Sequence, residues 1–280
     1  MRVARPEFVP DASLSREEME QLQRDIAAAA TFADDLPVDP AAVRVPDGSR
    51  PADRGASGSG PEQATLDGDG PADGGDAPLV AGVDQAFVDD RAVSVAVVLR
   101  DGAVVERTRA VEPTEIPYVP GLLSFREGRA VLSAFGALDS DPDLALVDGS
   151  GRIHFREAGL ATHVGVTLDC PTVGVAKSLL CGTPAESLDR KHPAGRRVPV
   201  EADADVETAD PGTVIGHALQ TRQFEGENRH VNPLYVSPGH RVSAATAADL
   251  VEQCCAGYKL PEPTRLADSY ADDVKADVRD

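Results

Sequence analysis

Hydrophobic and polar positions alternate from Leu79 onward in a pattern that predicts strands and helices in turn. Short apolar runs rich in Val predict strands at Leu79–Asp84, Ala92–Arg100 and Ala103–Val111, and the turn pair Asp101-Gly102 predicts that the last two form a hairpin. The later pattern predicts helices at Ser124–Leu138, at Leu160–Leu168 and from Ser243 to about Cys255, and strands at Leu144–Asp148, Thr172–Ala176, Val214–Arg222 and Leu234–Val236. This order predicts an α/β fold in which helices flank both faces of a mixed β-sheet.

The N-terminal segment carries the signals of one helix. Ser15 and Glu18 have the spacing of a capping box, in which each side chain bonds to the backbone of the other residue. Apolar residues from Met19 to Ile26 then recur at helical spacing. We therefore expect a helical segment over residues 1–45.

Residues 46–76 differ in composition from the chain on either side. This stretch of 31 residues holds eight Gly and four Pro, and Leu66 is its one large apolar side chain. A segment of that composition buries too little apolar surface to order itself. We expect a disordered acidic linker that is dispensable for chemistry, followed by a catalytic domain at residues 77–280.

The composition predicts a folded protein of the cytoplasm. Hydrophobic residues make up 41% of the chain, which is enough for a core. No apolar run approaches the roughly 18 residues of a membrane span, and residues 1–10 lack the apolar stretch of a signal peptide. We therefore expect no membrane partner. The four cysteines lack the spacing of a zinc site, and we expect them to be reduced.

Net charge is the unusual feature of the composition. The 47 acidic and 27 basic residues give a net charge of −20. A strongly acidic surface ordinarily argues against nucleic acid as a partner. It also suits adaptation to molar salt, because at about 1 M the Debye length is about 3 Å and exposed charges hardly repel DNA. We favour this second explanation, a halophilic origin.

Three acidic residues occupy positions that a sheet would bring together. Asp84 ends the first predicted strand, Glu127 lies in the first helix after the hairpin, and Asp148 ends the fourth predicted strand. Clustered carboxylates repel unless a cation neutralises them, and oxygen ligands suit Mg²⁺ or Mn²⁺, which promote in-line attack on a phosphodiester. The alternative is that all three are ordinary surface acids. Against it stands the cost of an ionised Asp148 at the end of a buried apolar run.

Six short motifs share the residues and the order of one enzyme family. They are Val80-Ala-Gly-Val-Asp84, Pro117-Tyr-Val-Pro-Gly-Leu-Leu-Ser-Phe-Arg-Glu127, Val147-Asp-Gly-Ser-Gly151, Pro171-Thr-Val-Gly-Val-Ala-Lys177, Pro238-Gly-His-Arg-Val-Ser243 and Pro261-Glu-Pro-Thr-Arg265. In these motifs the chain resembles the endonuclease V family from Leu79 to Ala267. One motif alone would be weak support, but six in family order are strong support.

The resemblance implies a ribonuclease H-like fold and a role for each candidate site residue. In the family pattern Asp84 and Asp148 are metal ligands, and Glu127 completes the cluster. His240 matches the family's functional histidine beside the metals, where it would position or deprotonate the attacking water. Lys177 matches a lysine that would neutralise the scissile phosphate. Without the resemblance, His240 would be a structural turn residue, and Lys177 a strand-end lysine whose stem covers apolar surface.

The resemblance also implies that the enzyme recognises a damaged base in DNA, here called the lesion. Residues Pro117–Pro120, here called the wedge loop, would recognise it. Pro117 and Pro120 fix the backbone around Tyr118, so that one aromatic ring is presented at low entropic cost. A rigid apolar wedge can fill the gap left by a base that leaves the stack. The alternative is a Pro-rich turn that buries Tyr118 in the core.

Three glycines and a histidine are expected around the base pocket. Gly121, Gly149 and Gly151 allow a close approach of the backbone, and we expect amides there to contact the O6 atom of hypoxanthine. His154 matches the family's histidine after the Asp-Gly-x-Gly turn. The residue after it is Phe155, where the family has Pro, so the resemblance does not predict the shape of this DNA-facing loop.

As a whole, the resemblance implies a DNA repair endonuclease that recognises deaminated bases such as deoxyinosine. It would hydrolyse the second phosphodiester 3′ to the lesion and leave 3′-hydroxyl and 5′-phosphate ends. Mg²⁺ would be the cofactor, Mn²⁺ would substitute for it, and we expect a monomer. One alternative is an inosine-specific ribonuclease or another ribonuclease H-like nuclease, because contacts to the 2′-hydroxyl decide between DNA and RNA. The other is a non-catalytic nucleic-acid-binding module.

Overall fold

The computed structural model of the protein describes residues 1–45, 77–225 and 229–279. The helices are α1 (Arg16–Ala29), α2 (Leu123–Gly136), α3 (Leu160–Leu168), α4 (Ala244–Gln253) and α5 (Glu262–Arg279), with short 3₁₀ helices at Pro6–Phe8 and Pro40–Ala42. The strands are β1 (Leu79–Val88), β2 (Arg91–Arg100), β3 (Ala103–Pro113), β4 (Leu144–Asp148), β5 (Thr172–Ala176), β6 (Thr183–Pro184), β7 (Arg197–Glu201), β8 (Val214–Leu219) and β9 (Leu234–His240). The expected linker at residues 46–76 lies outside the described residues. Within the described residues, no helix combines the length and the apolar character needed to cross a bilayer.

The strands form one mixed sheet in the order β3-β2-β1-β4-β5-β9-β8-β7-β6. β1, β2 and β3 form an antiparallel meander, and β4 and β5 run parallel to β1. β9 then pairs with β5 in the antiparallel direction and continues into β8 and β7. The predicted mixed α/β sheet is therefore confirmed.

Helices cover both faces of this sheet, since successive side chains of a strand point to opposite sides. On one face, α2 and α3 pack against Val83 and Val147 in a core that includes Phe135. On the other face, α4 packs against Leu146, and α5 packs against Val95. Burial of both faces explains why β2 and β4 are mostly apolar and lack the regular alternation with polar residues, with Ser94 as a buried polar residue in β2.

Helix α1 of the N-terminal segment packs on the side of the sheet that carries α2 and α3, whereas Val43 further along the segment packs with α4 on the other side. Helix α1 begins at the predicted capping box, in which the Glu18 amide donates to Ser15 Oγ at 3.3 Å and the Ser15 amide donates to Glu18 Oε2 at 2.8 Å. Met19 is buried beside the start of α2, and Ile26 is buried against Val166 of α3. Helix α1 is therefore held against helices α2 and α3.

Observed and predicted elements agree best where a buried run has clear limits. Leu144–Asp148, Leu160–Leu168 and Thr172–Ala176 have the predicted bounds. β1 continues past Asp84 to Val88, because it pairs with β2 along its whole length. The sequence pattern does not predict β6, β7 or α5.

Candidate active site

Asp84 and Asp148 lie next to each other on adjacent parallel strands. The register of β1 with β4 pairs Val83 with Val147, so the two aspartates follow side by side. On the other side of β4, Asp148 pairs with Val175 of β5. The sheet therefore brings these two candidate ligands together.

The alternation of side chains along β4 and β5 directs Asp148 and Lys177 toward the face of the sheet that carries α4 and α5. Leu146 of β4 and Val175 of β5 pack in the core on that face. Since side chains two residues apart share a face, Asp148 and Lys177 point to the same side. Both groups therefore point toward the last helix of the chain.

That helix supplies a third carboxylate, Asp268. The first turn of α5 lies against β1 at Gly82, where an added Cβ would stand 1.9 Å from the carbonyl oxygen of Pro263. Only glycine permits so close an approach of two backbones. With this turn fixed, Asp268 lies one helical turn beyond Thr264 and reaches Asp84.

Asp84, Asp148 and Asp268 form the carboxylate triad of the site. One oxygen of each lies within 4.8 Å of the other two. Burial raises the pKa of Asp84 to about 8, and a hydrogen bond to Asp148 and the charge of Asp148 add to the rise. Lys177 Nζ lies 2.9 Å from Asp148 Oδ2 and 3.4 Å from Asp268 Oδ1. Partial burial disfavours the ammonium, but the carboxylates outweigh it and raise the pKa of Lys177 above its ordinary value.

The triad can bind a metal ion. Carboxylate oxygens are the donors that hard divalent cations prefer. The raised pKa of Asp84 indicates that this buried carboxylate, next to Asp148, is costly to ionise with a single lysine nearby, and a bound dication would offset that cost. In the part of the chain that the structure describes, this is the one group of three such side chains with converging ligand atoms.

Glu127 lines the same pocket but lies outside the triad. It belongs to α2, which covers the opposite face of the sheet from α5. Its side chain is buried, and burial raises the pKa of Glu127 to about 7, with the charge of Asp148 adding to the rise and Arg126 opposing it. Glu127 is therefore close enough for the charge of Asp148 to raise its pKa. The third carboxylate whose oxygen converges with those of Asp84 and Asp148 is that of Asp268.

A pocket of about 430 Å³ extends from the triad to the wedge loop. Tyr118, Pro120 and Gly121 line it from the wedge loop and its C-terminal neighbour, and Gly149 and His154 line it from the segment that follows β4. Tyr118 is 63% exposed, so the alternative of a tyrosine buried in the core is wrong. The exposed ring of Tyr118 and two carboxylates of the triad, Asp84 and Asp148, thus line one cavity.

Two residues expected at the base pocket do not line it, namely Pro117 and Gly151. A Cβ on Gly151 would stand 2.3 Å from the carbonyl oxygen of Pro238, so this glycine permits close packing against β9. Its amide donates to Ser237 Oγ at 2.9 Å, and the Gly149 amide donates to a backbone carbonyl of β5 at 3.3 Å. Both amides are therefore already bonded within the protein. This contradicts the expectation that they contact the base.

His154 is buried beside the wedge loop and is neutral. Burial lowers its pKa to about 4, and the nearby charge of Arg156 contributes. Its Nδ1 accepts the Arg156 amide at 3.2 Å, so Nε2 carries the proton and donates to the Gly121 carbonyl at 3.0 Å. The Phe155 ring lies against Gly121, at 2.9 Å from the place of an added Cβ. His154 therefore shapes the pocket and carries no charge toward DNA.

His240 is not brought to the triad, so its predicted place beside the metals is wrong. β9 runs antiparallel to β5, and His240 pairs with Thr172 at the start of β5. Lys177 follows the other end of β5, roughly 15 Å away along the strand. The side chain of His240 also packs against Gly165 of α3, on the face opposite to α5.

The bonds of His240 are structural. Its Nδ1 accepts the backbone N–H of Thr31 at 3.1 Å, and its Nε2 lies 3.2 Å from Asp169 Oδ1. Burial lowers the pKa of His240 below its ordinary value, while Asp169 opposes the change. The residue therefore joins the N-terminal segment to the sheet.

Asp268 is the site residue that the sequence analysis does not predict. Its helix begins within the last family motif, and Ala267, Ala271 and Val274 recur beyond that motif at helical spacing and are buried. This helical spacing of apolar residues is the signal in the sequence that points to the helix. It predicts a helix after Pro261, but only the contact at Gly82 brings Asp268 to the other two carboxylates.

The mixed sheet and the carboxylate triad beside a lysine define a nuclease of the ribonuclease H-like class. The profile of the family described as Endonuclease V matches residues 66–269. Endonuclease V of Haloarcula marismortui is 65% identical over 274 residues, which are 98% of this chain and 97% of that protein. The chain belongs to the endonuclease V family, and it is an endonuclease that hydrolyses phosphodiester bonds in DNA.

Solved structures agree with this family. The endonuclease V structure from Streptomyces avermitilis has a TM-score of 0.71 and 31% identity, with all of both chains covered. The Ciona intestinalis enzyme, solved with a 24-mer DNA containing an inosine followed by a ribo-adenosine, has a TM-score of 0.63. At 21% identity over 94% of this chain and 98% of that one, the Ciona likeness supports the fold alone.

Proposed function

We propose that the protein is a DNA repair endonuclease that recognises deoxyinosine and other deaminated bases. It hydrolyses the second phosphodiester 3′ to the lesion and leaves 3′-hydroxyl and 5′-phosphate ends. The observation that carries the proposal is the single pocket of about 430 Å³ that joins exposed Tyr118 to the triad residues Asp84 and Asp148. A flipped base and a nearby phosphodiester can occupy such a pocket at the same time.

Recognition of the lesion is assigned to the part of the pocket next to the wedge loop. Tyr118 presents an exposed ring that can stack where the base has left the duplex, and such stacking is worth roughly 1–3 kcal/mol. Pro120 and Gly121 continue the lining beside it. Because the Gly149 and Gly151 amides are bonded within the protein, we propose that shape and stacking at the wedge loop select the base.

Chemistry is assigned to the other part of the pocket. Asp84, Asp148 and Asp268 would hold Mg²⁺, with Mn²⁺ as a substitute, and the ion would stabilise charge on the phosphate oxygens and favour in-line attack by water. Lys177 keeps its proton beside Asp148 and Asp268 and places a positive charge next to the phosphate. Glu127 is proposed to orient a water molecule from the other side of the pocket.

The substrate class rests on the family and on a relative's ligand. The Ciona enzyme was solved with inosine-containing DNA, and here the same fold carries a pocket with an exposed aromatic residue. All proposed site residues come from one chain, so we propose that a monomer suffices. Inosine in RNA is the alternative substrate, and the assay below distinguishes it.

The test compares three labelled substrates with Mg²⁺: a duplex with one deoxyinosine, the unmodified duplex, and RNA with one inosine. We expect cleavage of the deoxyinosine duplex in preference to both others. Tyr118→Ala should lower that preference by about 10-fold, as the loss of one stacked base contact would. Tyr258→Ala is the matched control, because Tyr258 is partly exposed but does not line the pocket. Equal cleavage of modified and unmodified duplex by the wild type would refute the proposal.

A further inference from the structure

Helix α1 buries Gln23 together with the apolar side chains of Met19 and Ile26. Gln23 is 0% exposed, and both ends of its amide are bonded. Its Nε2 donates to the carbonyl oxygen of Gly121 at 2.8 Å, and its Oε1 accepts from Arg156 Nε at 2.8 Å. A buried amide with both bonds formed is favourable, whereas one left without partners is costly.

The carbonyl that Gln23 contacts belongs to Gly121, the residue directly after the wedge loop. Gly121 O accepts two hydrogen bonds, one from Gln23 Nε2 and one from neutral His154 Nε2. Gly121 follows Pro120 directly, and the Leu122 amide closes the loop by donating to Val119 O at 3.0 Å. The position of the wedge loop is therefore set by groups from outside it.

The second partner of Gln23 belongs to the other segment of the pocket lining. Arg156 follows His154 in the stretch after β4, and its side chain is buried. Beyond its bond to Gln23, Arg156 donates to Glu207 Oε1 at 2.9 Å. Arg24 of α1 contacts the other oxygen of Glu207 at 2.9 Å. One glutamine thus spans the wedge loop and the segment after β4, and its helix is held in place by a second link.

We infer that Gln23 is a positioning residue for lesion recognition, which fixes the wedge loop relative to the segment that follows β4. The inference rests on the proposed function, since the wedge loop is assigned there to the base. Gln23 lies in the N-terminal segment, outside the matched residues 66–269 of the family profile. The N-terminal helix therefore contributes to specificity although it supplies no group to the triad.

The test uses Gln23→Met, which keeps the length of the side chain and removes both hydrogen bonds. The control is Ile26→Val, a change of one buried methylene in the same helix, away from Gly121. Gln23→Met should weaken binding to the deoxyinosine duplex by about 10-fold, as the loss of one to two buried hydrogen bonds would. KM should rise by a larger factor than kcat falls. Ile26→Val should change neither the affinity nor the preference for deoxyinosine.

A double-mutant cycle separates positioning from general stability. If Gln23 acts through the wedge loop, Gln23→Met should reduce the preference for deoxyinosine in the wild type and hardly change it in Tyr118→Ala. Independent effects that multiply in the double variant would overturn the inference. If Gln23→Met does not fold, Gln23→Glu replaces it, because it keeps the acceptor for Arg156 and loses the donor to Gly121.

Hydrogen exchange gives a readout that does not depend on cleavage. We expect faster exchange of the Leu122 amide in Gln23→Met than in Ile26→Val, at equal exchange in β4 and β5. Unchanged exchange at Leu122 would overturn the inference even if binding fell. A wild type without preference for deoxyinosine would instead refute the proposed function, so the two failures can be told apart.

Discussion

The carboxylate of Asp268, on the last helix, lies within 4.8 Å of the carboxylate of Asp84 on β1. The contact exists because Gly82 lets the first turn of α5 lie directly on β1. With Asp148 on the neighbouring strand, two residues from the sheet and one from a helix packed against it form the carboxylate triad, which can bind a metal ion. The third ligand thus comes from a part of the chain far from the other two.

The first prediction concerns Asp268. Asp268→Asn removes one carboxylate of the triad and should lower the cleavage rate at saturating substrate. Loss of a residue that only hydrogen-bonds to a metal ligand costs roughly 10- to 100-fold, and we expect a larger loss here. Asp272→Asn, one turn further along α5 and exposed, is the control and should match the wild type. Rates are measured in single turnover across a Mg²⁺ titration. Equal rates for Asp268→Asn and Asp272→Asn would remove Asp268 from the site.

A second prediction separates His240 from the chemistry. His240→Ala leaves the Thr31 amide and Asp169 without their partner and should lower the free energy of unfolding by about 1–3 kcal/mol. Its cleavage rate at saturating substrate should stay near that of the wild type while the protein is folded. Asp148→Asn should behave in the opposite way, with normal stability and little cleavage. A folded His240→Ala protein without activity would restore the histidine to the reaction.

Part of the fold and of the site could be predicted from the sequence. Strands β4 and β5 are buried runs with clear limits, and the family motifs contain Asp84, Asp148 and Lys177. The motif around His240 was misleading, because a local motif does not reveal that β9 runs antiparallel and places this residue at the other end of β5. Asp268 could not be assigned, because its place depends on a contact between distant backbones.

The third prediction concerns pH and His163, which is buried in α3. Burial lowers the pKa of His163 from 6.5 to about 4, so the folded chain keeps it neutral where the unfolded chain binds a proton. Its contribution to stability is full above pH 6.5 and is lost as the pH falls toward 4, by up to about 3 kcal/mol. Urea unfolding of His163→Gln should therefore show a shallower loss of stability between pH 7 and pH 5 than the wild type. His230→Gln, an exposed control, should keep the slope of the wild type; equal slopes for all three proteins would contradict the assignment.

The net charge of −20 leads to a prediction about salt. Carboxylates on the surface repel one another at low ionic strength, and at about 1 M salt the Debye length of about 3 Å screens them. A protein in which acidic residues outnumber basic ones by 47 to 27 also has little counterion-release affinity to lose as salt rises. Activity and circular dichroism should both be highest in molar KCl, with loss of structure at low salt. A well-folded enzyme most active near 50 mM KCl would show that the acidic surface has another cause.

We propose that one pocket binds the flipped base beside Tyr118 and places the strand for hydrolysis at the triad of Asp84, Asp148 and Asp268. The most direct test maps the ends produced from a labelled duplex that carries one deoxyinosine, in molar KCl with Mg²⁺. We predict a single cut at the second phosphodiester 3′ to the lesion, with a 3′-hydroxyl end, the inosine still on the strand, and no product in EDTA. Tyr118→Ala should leave that cut in the same place. Release of a free base, a cut that shifts in Tyr118→Ala, or cleavage that persists in EDTA would contradict the account.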